Sequence, residues 1–206
     1  TITAGNDAGL FSINAATGVI SIATGKALDF ETATSHTLTV QASDGTNIDN
    51  ATITIAVTNI NDNAPVIANA STSVDEDEPA GTNIININDS TTGNDTDADG
   101  NAITYSITGG NAGGIFAING ASGLITIAGG KSLDYDTASS HSLTILATDG
   151  TNTDTATIQV NVGNTAINAP SITNAAPSIA ENAAAGTTIV DINDSNTGND
   201  TDNDGE

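Results

Sequence analysis

The amino-acid sequence predicts an all-β protein made of β-sandwich domains in tandem. The first observation is an internal repeat: a shift of 105 residues aligns residues 1–67 with 106–172, and 38 of those positions are identical. The second is an alternation of apolar and polar residues with a period of two, as in half-buried strands. The third is the series of Gly, Asn, Asp and Ser clusters between the alternating segments, which are turn signals.

Four segments of the second repeat show the alternation clearly. They are ITYSIT (103–108), LITIA (124–128), SHSLTILA (140–147) and ATIQVNV (156–162). The segment ATITIAV (51–57) repeats the last of these in the first repeat. No segment has helical spacing of useful length. About seven short antiparallel strands per 105-residue repeat indicate tandem immunoglobulin-like Greek-key β-sandwiches.

Composition limits the partners that the chain can have. The formal net charge is −23, with only two basic residues, Lys26 and Lys131, and no cysteine. Such a surface repels nucleic acid and anionic membranes, and a cation is its natural partner. Without cysteine, disulfides, thiolate metal sites and thiol chemistry are excluded. We therefore expect no nucleic-acid partner and no direct membrane insertion of this segment.

The repeat also predicts the domain organisation. Residues 1–63 correspond to the C-terminal part of a first repeat, 64–168 to a complete second repeat and 169–206 to the N-terminal part of a third. An incomplete sandwich exposes an apolar face and open strand edges. One hypothesis is that the C-terminal piece of one chain completes the N-terminal piece of the next, head to tail, by strand addition. The other is that the ends only reflect how the sequence was delimited.

The acidic residues are concentrated in short motifs that recur once per repeat. In chain order these are LDFE (28–31), ASDG (42–45), NINDNAP (59–65), VDEDEPAGT (74–82), DTDADG (95–100), LDYD (133–136), ATDG (147–150), IAENAAAGT (179–187) and DTDNDG (200–205). Together they resemble the cadherin repeat, in which the corresponding motifs occur in the same order. The resemblance extends over essentially the whole chain.

The resemblance implies calcium ions bound at the junctions between successive repeats. At the first junction the matching positions are Asp29, Glu31, Asn59, Asn61, Asp62, Asn63, Asp97, Asp99 and Asp149. At the second junction they are Glu76, Asp134, Asp136, Asn164, Asn168, Asp202 and Asp204. The chemistry agrees, because Ca²⁺ takes six to eight oxygen ligands from carboxylates, amide carbonyls and waters.

Three departures from the family pattern affect this assignment. Asn59 stands where the family has a first linker Asp, so that ligand is neutral. Ile167 stands in NTAINAP at the position that Asp62 holds in the first linker, and an alkyl group cannot coordinate a hard cation. The second junction should therefore hold fewer or weaker ions. The acidic loop is shorter than the family's, and Asp95 is an alternative to one of its two assigned carboxylates.

No enzymatic activity is expected. His36 and His141 occupy one repeat position at the start of a strand, and no Ser or Cys nucleophile constellation accompanies them. A glycosidase would need a carboxylic acid whose pKa is raised inside an apolar cleft, and no segment suggests such a cleft.

The predicted function is structural. The chain is interpreted as a calcium-rigidified extender of a secreted or cell-surface bacterial adhesin or filament, whose partners are neighbouring repeats or copies of the same chain. An adhesive binding module, homophilic or specific for carbohydrate or ice, is the alternative. The expected location is extracellular or at the bacterial cell surface, because such junctions bind calcium at about 10⁻⁴–10⁻³ M, which only extracellular calcium saturates.

Overall fold

The computed structural model of the chain describes residues 1–89, 94–165 and 176–190. Within these ranges the chain forms twelve β-strands and no helix, so they contain no helix that could cross a membrane. The strands, numbered in chain order, are β1 (Ile2–Ala4), β2 (Phe11–Ile13), β3 (Ile20–Ile22), β4 (Ser35–Ser43), β5 (Ile48–Ala56), β6 (Ala70–Asp75), β7 (Asn83–Asn86), β8 (Thr104–Gly109), β9 (Phe116–Ile118), β10 (Leu124–Ile127), β11 (Ser140–Thr148) and β12 (Thr153–Gly163).

Two compact units divide these strands. Unit 1 comprises Thr1–Ala64 together with Asp97–Ala102, and unit 2 comprises Pro65–Thr96 and the chain from Ile103 onward. Unit 1 thus contains β1 to β5, and unit 2 contains β6 to β12. The acidic loop of the second repeat groups with unit 1 although it precedes β8 in sequence. The boundaries of the three predicted repeats stay a prediction.

Unit 2 is a sandwich of two sheets. One sheet has the order β6-β12-β11-β8 and the other β7-β10-β9. All neighbours are antiparallel except β6, which runs parallel to β12. On β12 the alternating residues Ala156, Ile158, Val160 and Val162 are all buried, as the period of two predicts. The predicted all-β sandwich is confirmed.

The core of unit 2 is mainly aliphatic and fully enclosed. Ile125, Leu143, Ile145 and Ile158 are each 0% exposed. Strands β6 and β7 cover this core from one side, and their residues Val74, Ile84 and Ile85 pack against it. His141 lies edge-on to Phe116, with ring centroids 5.1 Å apart, and His36 makes the same contact with Phe11 at 5.2 Å.

Unit 1 repeats the last five strands of unit 2. Its sheets have the orders β1-β4-β5 and β2-β3, so β5 and β3 each have an open edge within the described residues. Between these strands lies an apolar groove of about 350 Å³. The apolar side chains that line the groove are Phe11, Ile20, Ile22, Leu28, Ile53 and Ile55. We call this surface the unit 1 groove.

Candidate metal centre

Three carboxylates from three separate motifs meet in unit 1. Glu31 comes from the segment between β3 and β4, Asp62 from the linker after β5, and Asp99 from the acidic loop. One oxygen atom of each lies within 4.8 Å of the others. Glu31 and Asp62 are exposed and Asp99 is half-buried, so the group opens to solvent. We call these residues the carboxylate cluster, and its donor set could hold a metal ion.

Hydrogen bonds from the linker fix the orientation of the Asp99 carboxylate. The Asp99 Oδ2 atom accepts hydrogen bonds from the backbone N–H of Asp62 at 3.1 Å and of Asn63 at 2.8 Å. The Asn63 Nδ2 group donates to Asp99 Oδ1 at 3.1 Å, and the Asn59 Nδ2 group donates to the backbone carbonyl of Asp99 at 2.7 Å. These four hydrogen bonds hold the acidic loop against the linker.

Two further oxygen atoms are buried beside these residues without a hydrogen-bond donor. They are Asn59 Oδ1 and Asp97 Oδ2. A buried polar atom without a partner is uncommon in folded proteins, because its desolvation is not compensated. The other oxygen of Asp97 accepts a bond from the backbone N–H of Asn101 at 3.1 Å, which orients the carboxylate. A cation would satisfy both orphaned oxygens, and both are hard ligands.

The carboxylates of the cluster lie close enough to shift the pKa of one another. Partial desolvation, together with a hydrogen bond to and charge repulsion from Asp99, raises the pKa of Glu31. Desolvation acts the same way on Asp99, but hydrogen bonds from Asn63, Glu31 and Asp62 outweigh it and lower the pKa of Asp99. A cation would favour the charged form of both groups.

Asp29, predicted as a ligand from the LDFE motif, is not a member of the cluster. Its Oδ1 atom accepts a bond from the backbone N–H of Thr32 at 3.0 Å, and its Oδ2 atom accepts one from the Thr32 hydroxyl at 2.8 Å. These bonds lower the pKa of Asp29. Asp134 is bonded in the same way to Thr137 in the second repeat. Both carboxylates stabilise a local turn.

Other predicted ligands lie in different parts of the described structure. Asp149 belongs to unit 2, at the turn between β11 and β12, and its Oδ1 atom accepts bonds from the N–H groups of Thr151 and Asn152, both at 2.6 Å. Asp95 is half-buried in unit 2, where burial raises its pKa, and it is not in the cluster. Asn61, Asp136 and Asn164 lie in described segments, and each has an interacting partner.

Glu76 has a role that its motif did not reveal. It follows β6 and is buried, 7% exposed. Its Oε2 atom accepts a bond from the backbone N–H of Tyr135 at 2.7 Å, and its Oε1 atom accepts one from Thr165 at 2.9 Å. The carboxylate thus connects the end of β6 to two other segments of unit 2. The remaining residues predicted for this second site, Asn168, Asp202 and Asp204, lie outside the described residues.

Comparison with known proteins gives consistent matches in sequence and in structure. The Cadherin domain family model matches residues 1–58 and 70–163. The protocadherin-like wing polarity protein stan of Drosophila melanogaster is 35% identical over 205 residues, which cover 93% of this chain and 6% of that protein. The chain therefore spans a small fraction of this relative's length.

Solved structures show the same likeness. The EC22-24 fragment of mouse Cadherin-23 is similar with a TM-score of 0.72 and 26% identity, over 93% of this chain and 62% of that one. The EC1-3 fragment of mouse Protocadherin-24 is similar with a TM-score of 0.70 and 27% identity, over 98% and 65%.

Proposed function

This chain belongs to the cadherin domain family, and from that premise we propose that it is a calcium-stiffened spacer in an extracellular protein. Domains of this family are extracellular adhesive or structural modules and not enzymes. The specific setting that we propose is a bacterial surface adhesin or filament. We base this setting on composition and repeat pattern. The relative described above is an animal protein and does not support it.

The observation that carries the proposal is the carboxylate cluster with its two orphaned oxygens. Calcium would be held by Glu31, Asp62 and Asp99, together with Asn59 Oδ1 and Asp97 Oδ2. All five are oxygen ligands, which suits a hard divalent cation and not zinc or copper. Bound calcium would supply the positive charge that lets these carboxylates stay ionised side by side.

Calcium would act on the chain by restraining the linker. Without the cation, like charges repel one another across the cluster and oppose the contact between the acidic loop and the linker. With the cation, Asp62 and Asn63 stay fixed against Asp99. Repeated along an array of domains, this restraint converts flexible linkers into stiff ones, so that calcium works as a mechanical switch.

The second set of predicted ligands belongs to the same proposal. They are Glu76, Asp134, Asp136, Asn164, Asn168, Asp202 and Asp204. We expect this site to bind calcium more weakly than the first, because Ile167 replaces a carboxylate ligand.

A second candidate function is adhesion, and one observation favours its homophilic form. The unit 1 groove is apolar and open, so copies of the chain could associate head to tail by strand complementation. Carbohydrate or ice recognition has less support. Sugar-binding surfaces usually present exposed aromatic rings. Of the five aromatic side chains here, Phe11, Tyr105 and Phe116 are buried and the other two are half-buried.

Small-angle X-ray scattering with millimolar calcium and with excess chelator tests the spacer proposal. We expect a well-defined maximum dimension with calcium and a broad distribution without it. Asp99→Asn should require on the order of tenfold more calcium for the same change, because one charged ligand is lost. The matched control is Asp7→Asn, an exposed carboxylate outside the cluster. Identical curves with calcium and with chelator would refute the proposal.

A further inference from the structure

We propose that unit 2 has a cation site of its own, in which the carboxylates of Asp95 and Asp154 and the hydroxyl of Tyr105 bind a calcium ion. All three residues belong to unit 2, whereas the carboxylate cluster belongs to unit 1. The site shares no residue with the cluster, so the inference does not rest on the proposed spacer function.

The Tyr105 hydroxyl is the first observation that points to a ligand. Tyr105 lies on β8, opposite Ala147 of β11, and is 5% exposed. Its hydroxyl oxygen is buried and has no hydrogen-bond partner among the described residues. A buried tyrosine hydroxyl usually has a partner, because its desolvation is otherwise not compensated. A group that the described chain does not supply would compensate it.

An oxygen atom of Asp95 is in the same situation. Asp95 Oδ2 is buried, and within the described ranges it has no hydrogen-bond donor. The two groups are neighbours, because burial and the adjacent Asp95 carboxylate both raise the pKa of Tyr105. Burial raises the pKa of Asp95, and the Tyr105 hydroxyl opposes this shift. The geometry between them nevertheless leaves both oxygen atoms unsatisfied, so one bound ion could satisfy the two together.

Asp154 brings a second negative charge to this part of unit 2. Its Oδ2 atom accepts a hydrogen bond from the backbone N–H of Ile67 at 3.1 Å. Asp95 lies beside the same segment, because the next residue, Thr96, pairs with Val66 in an antiparallel bridge. Besides burial, repulsion from Asp154 raises the pKa of Asp95. The two carboxylates therefore interact unfavourably unless a positive charge lies between them.

The three groups suit a hard divalent cation. All are oxygen donors, and two carboxylates balance the charge of one divalent ion. Each carboxylate oxygen has two lone pairs, so Asp154 Oδ2 can accept the Ile67 N–H and still bind a cation. Waters would complete the six to eight oxygens that calcium takes. A water molecule in place of the ion would satisfy the Tyr105 hydroxyl, but it would not neutralise the two carboxylates.

An ion in this position would act on the stability of unit 2 itself. Its ligands come from β8, from β12 and from the segment before β8, and the Ile67 N–H ties the chain before β6 to one of them. It would thus join segments that are distant in sequence, in a chain that has no cysteine for disulfides. Binding to the folded state alone raises the free energy of unfolding. This effect is separate from the restraint of the linker.

The first repeat provides a matched control carboxylate. Asp49 holds the repeat position of Asp154. The Oδ1 atom of each accepts a bond from the N–H of the following residue, Asn50 at 2.9 Å and Thr155 at 2.8 Å. Asp49 is exposed, however, whereas Asp154 is half-buried. Asp49→Asn thus repeats the chemical change at a position outside the proposed site.

Terbium luminescence excited through tyrosine tests the site, because Tb³⁺ replaces Ca²⁺ at oxygen sites and the energy transfer falls steeply with distance. The chain has two tyrosines and no tryptophan. In the 206-residue variant Tyr135→Phe, Tyr105 is the only tyrosine, and we expect sensitised emission that excess calcium removes. Asp95→Asn and Asp154→Asn in this background should each require on the order of tenfold more terbium, because one charged ligand is lost. Asp49→Asn should behave as the background.

A further variant separates this site from the carboxylate cluster. Asp99→Asn weakens the cluster and should leave the emission through Tyr105 in place. Absence of emission from the Tyr135→Phe chain would overturn the proposal. Emission that Asp99→Asn removes and Asp95→Asn does not would overturn it as well, because the ion would then lie in the cluster.

Stability provides a second readout with an expected change of sign. Hydrogen exchange of the β8 and β12 amides reports on unit 2. With chelator, Asp95→Asn should leave their protection unchanged or increase it, because one of two neighbouring negative charges is removed. With millimolar calcium, the same variant should lose most of the protection that calcium adds to the unmodified chain. Protection that calcium does not change in the unmodified chain would overturn the proposal.

Tyr105→Phe distinguishes an ion ligand from a direct hydrogen bond. If the hydroxyl binds calcium, its removal should reduce the protection of unit 2 with calcium much more than with chelator. Equal losses in both conditions would overturn the proposal, because they would mean that the hydroxyl only donates to the Asp95 carboxylate.

Discussion

Replacing Ile158 by Ala should destabilise unit 2 about twice as strongly as the matched change Ile53→Ala destabilises unit 1. The two residues hold one repeat position, on β12 and on β5, but Ile158 is 0% exposed and Ile53 is 37% exposed. The change removes three carbons, worth about 0.8 kcal/mol each when fully buried, or roughly 2.4 kcal/mol. A closed cavity in unit 2 brings the loss of unfolding free energy to about 3–4 kcal/mol.

For Ile53 the same calculation gives a smaller value. About a third of the residue is already in water, so the transfer loss is about 1.5 kcal/mol, and the open groove leaves no enclosed cavity. Native-state hydrogen exchange measures the two units separately, through the amides of β12 and of β5. Equal losses in both units would refute the reasoning, because they would mean that Ile53 is as enclosed as Ile158.

Three further changes have defined outcomes. Burial lowers the pKa of His141. The unfolded chain therefore binds the proton more readily, and unit 2 should lose stability as the pH falls below about 6.5. Thermal denaturation from about pH 7.5 to 5.5 measures this loss, and His141→Leu should reduce the dependence on pH. Glu76→Ala leaves the N–H groups of Tyr135 and Thr165 without their acceptor. The unfolding free energy of unit 2, measured by urea titration, should fall by about 3 kcal/mol. A loss below about 1 kcal/mol would contradict this prediction. Gly110→Ala should destabilise unit 2 by at least about 1–3 kcal/mol on the same assay, because its φ is 77° and an added Cβ would collide with the Ser142 carbonyl.

The strands of this protein were predictable from sequence because their signal is local. A period of two needs only neighbouring residues, and it placed Ile158, Val160 and Val162 inward as the structure has them. It placed Ile53 inward by the same rule, yet Ile53 is partly exposed. Alternation reports which face a side chain takes, whereas exposure depends on distant segments that cover that face.

The sequence predicted Glu31, Asp62 and Asp99 as site residues, but it did not distinguish them from Asp29, which lies outside the cluster. The LDFE motif offers two carboxylates, and sequence gave no reason to separate them. In the structure Asp29 is held by Thr32, three residues away, whereas Glu31 reaches the cluster. A short carboxylate competes for nearby backbone N–H groups more readily than a long one. Asp62 and Asp99 are 37 residues apart, and only the fold shows that the linker N–H groups bind Asp99.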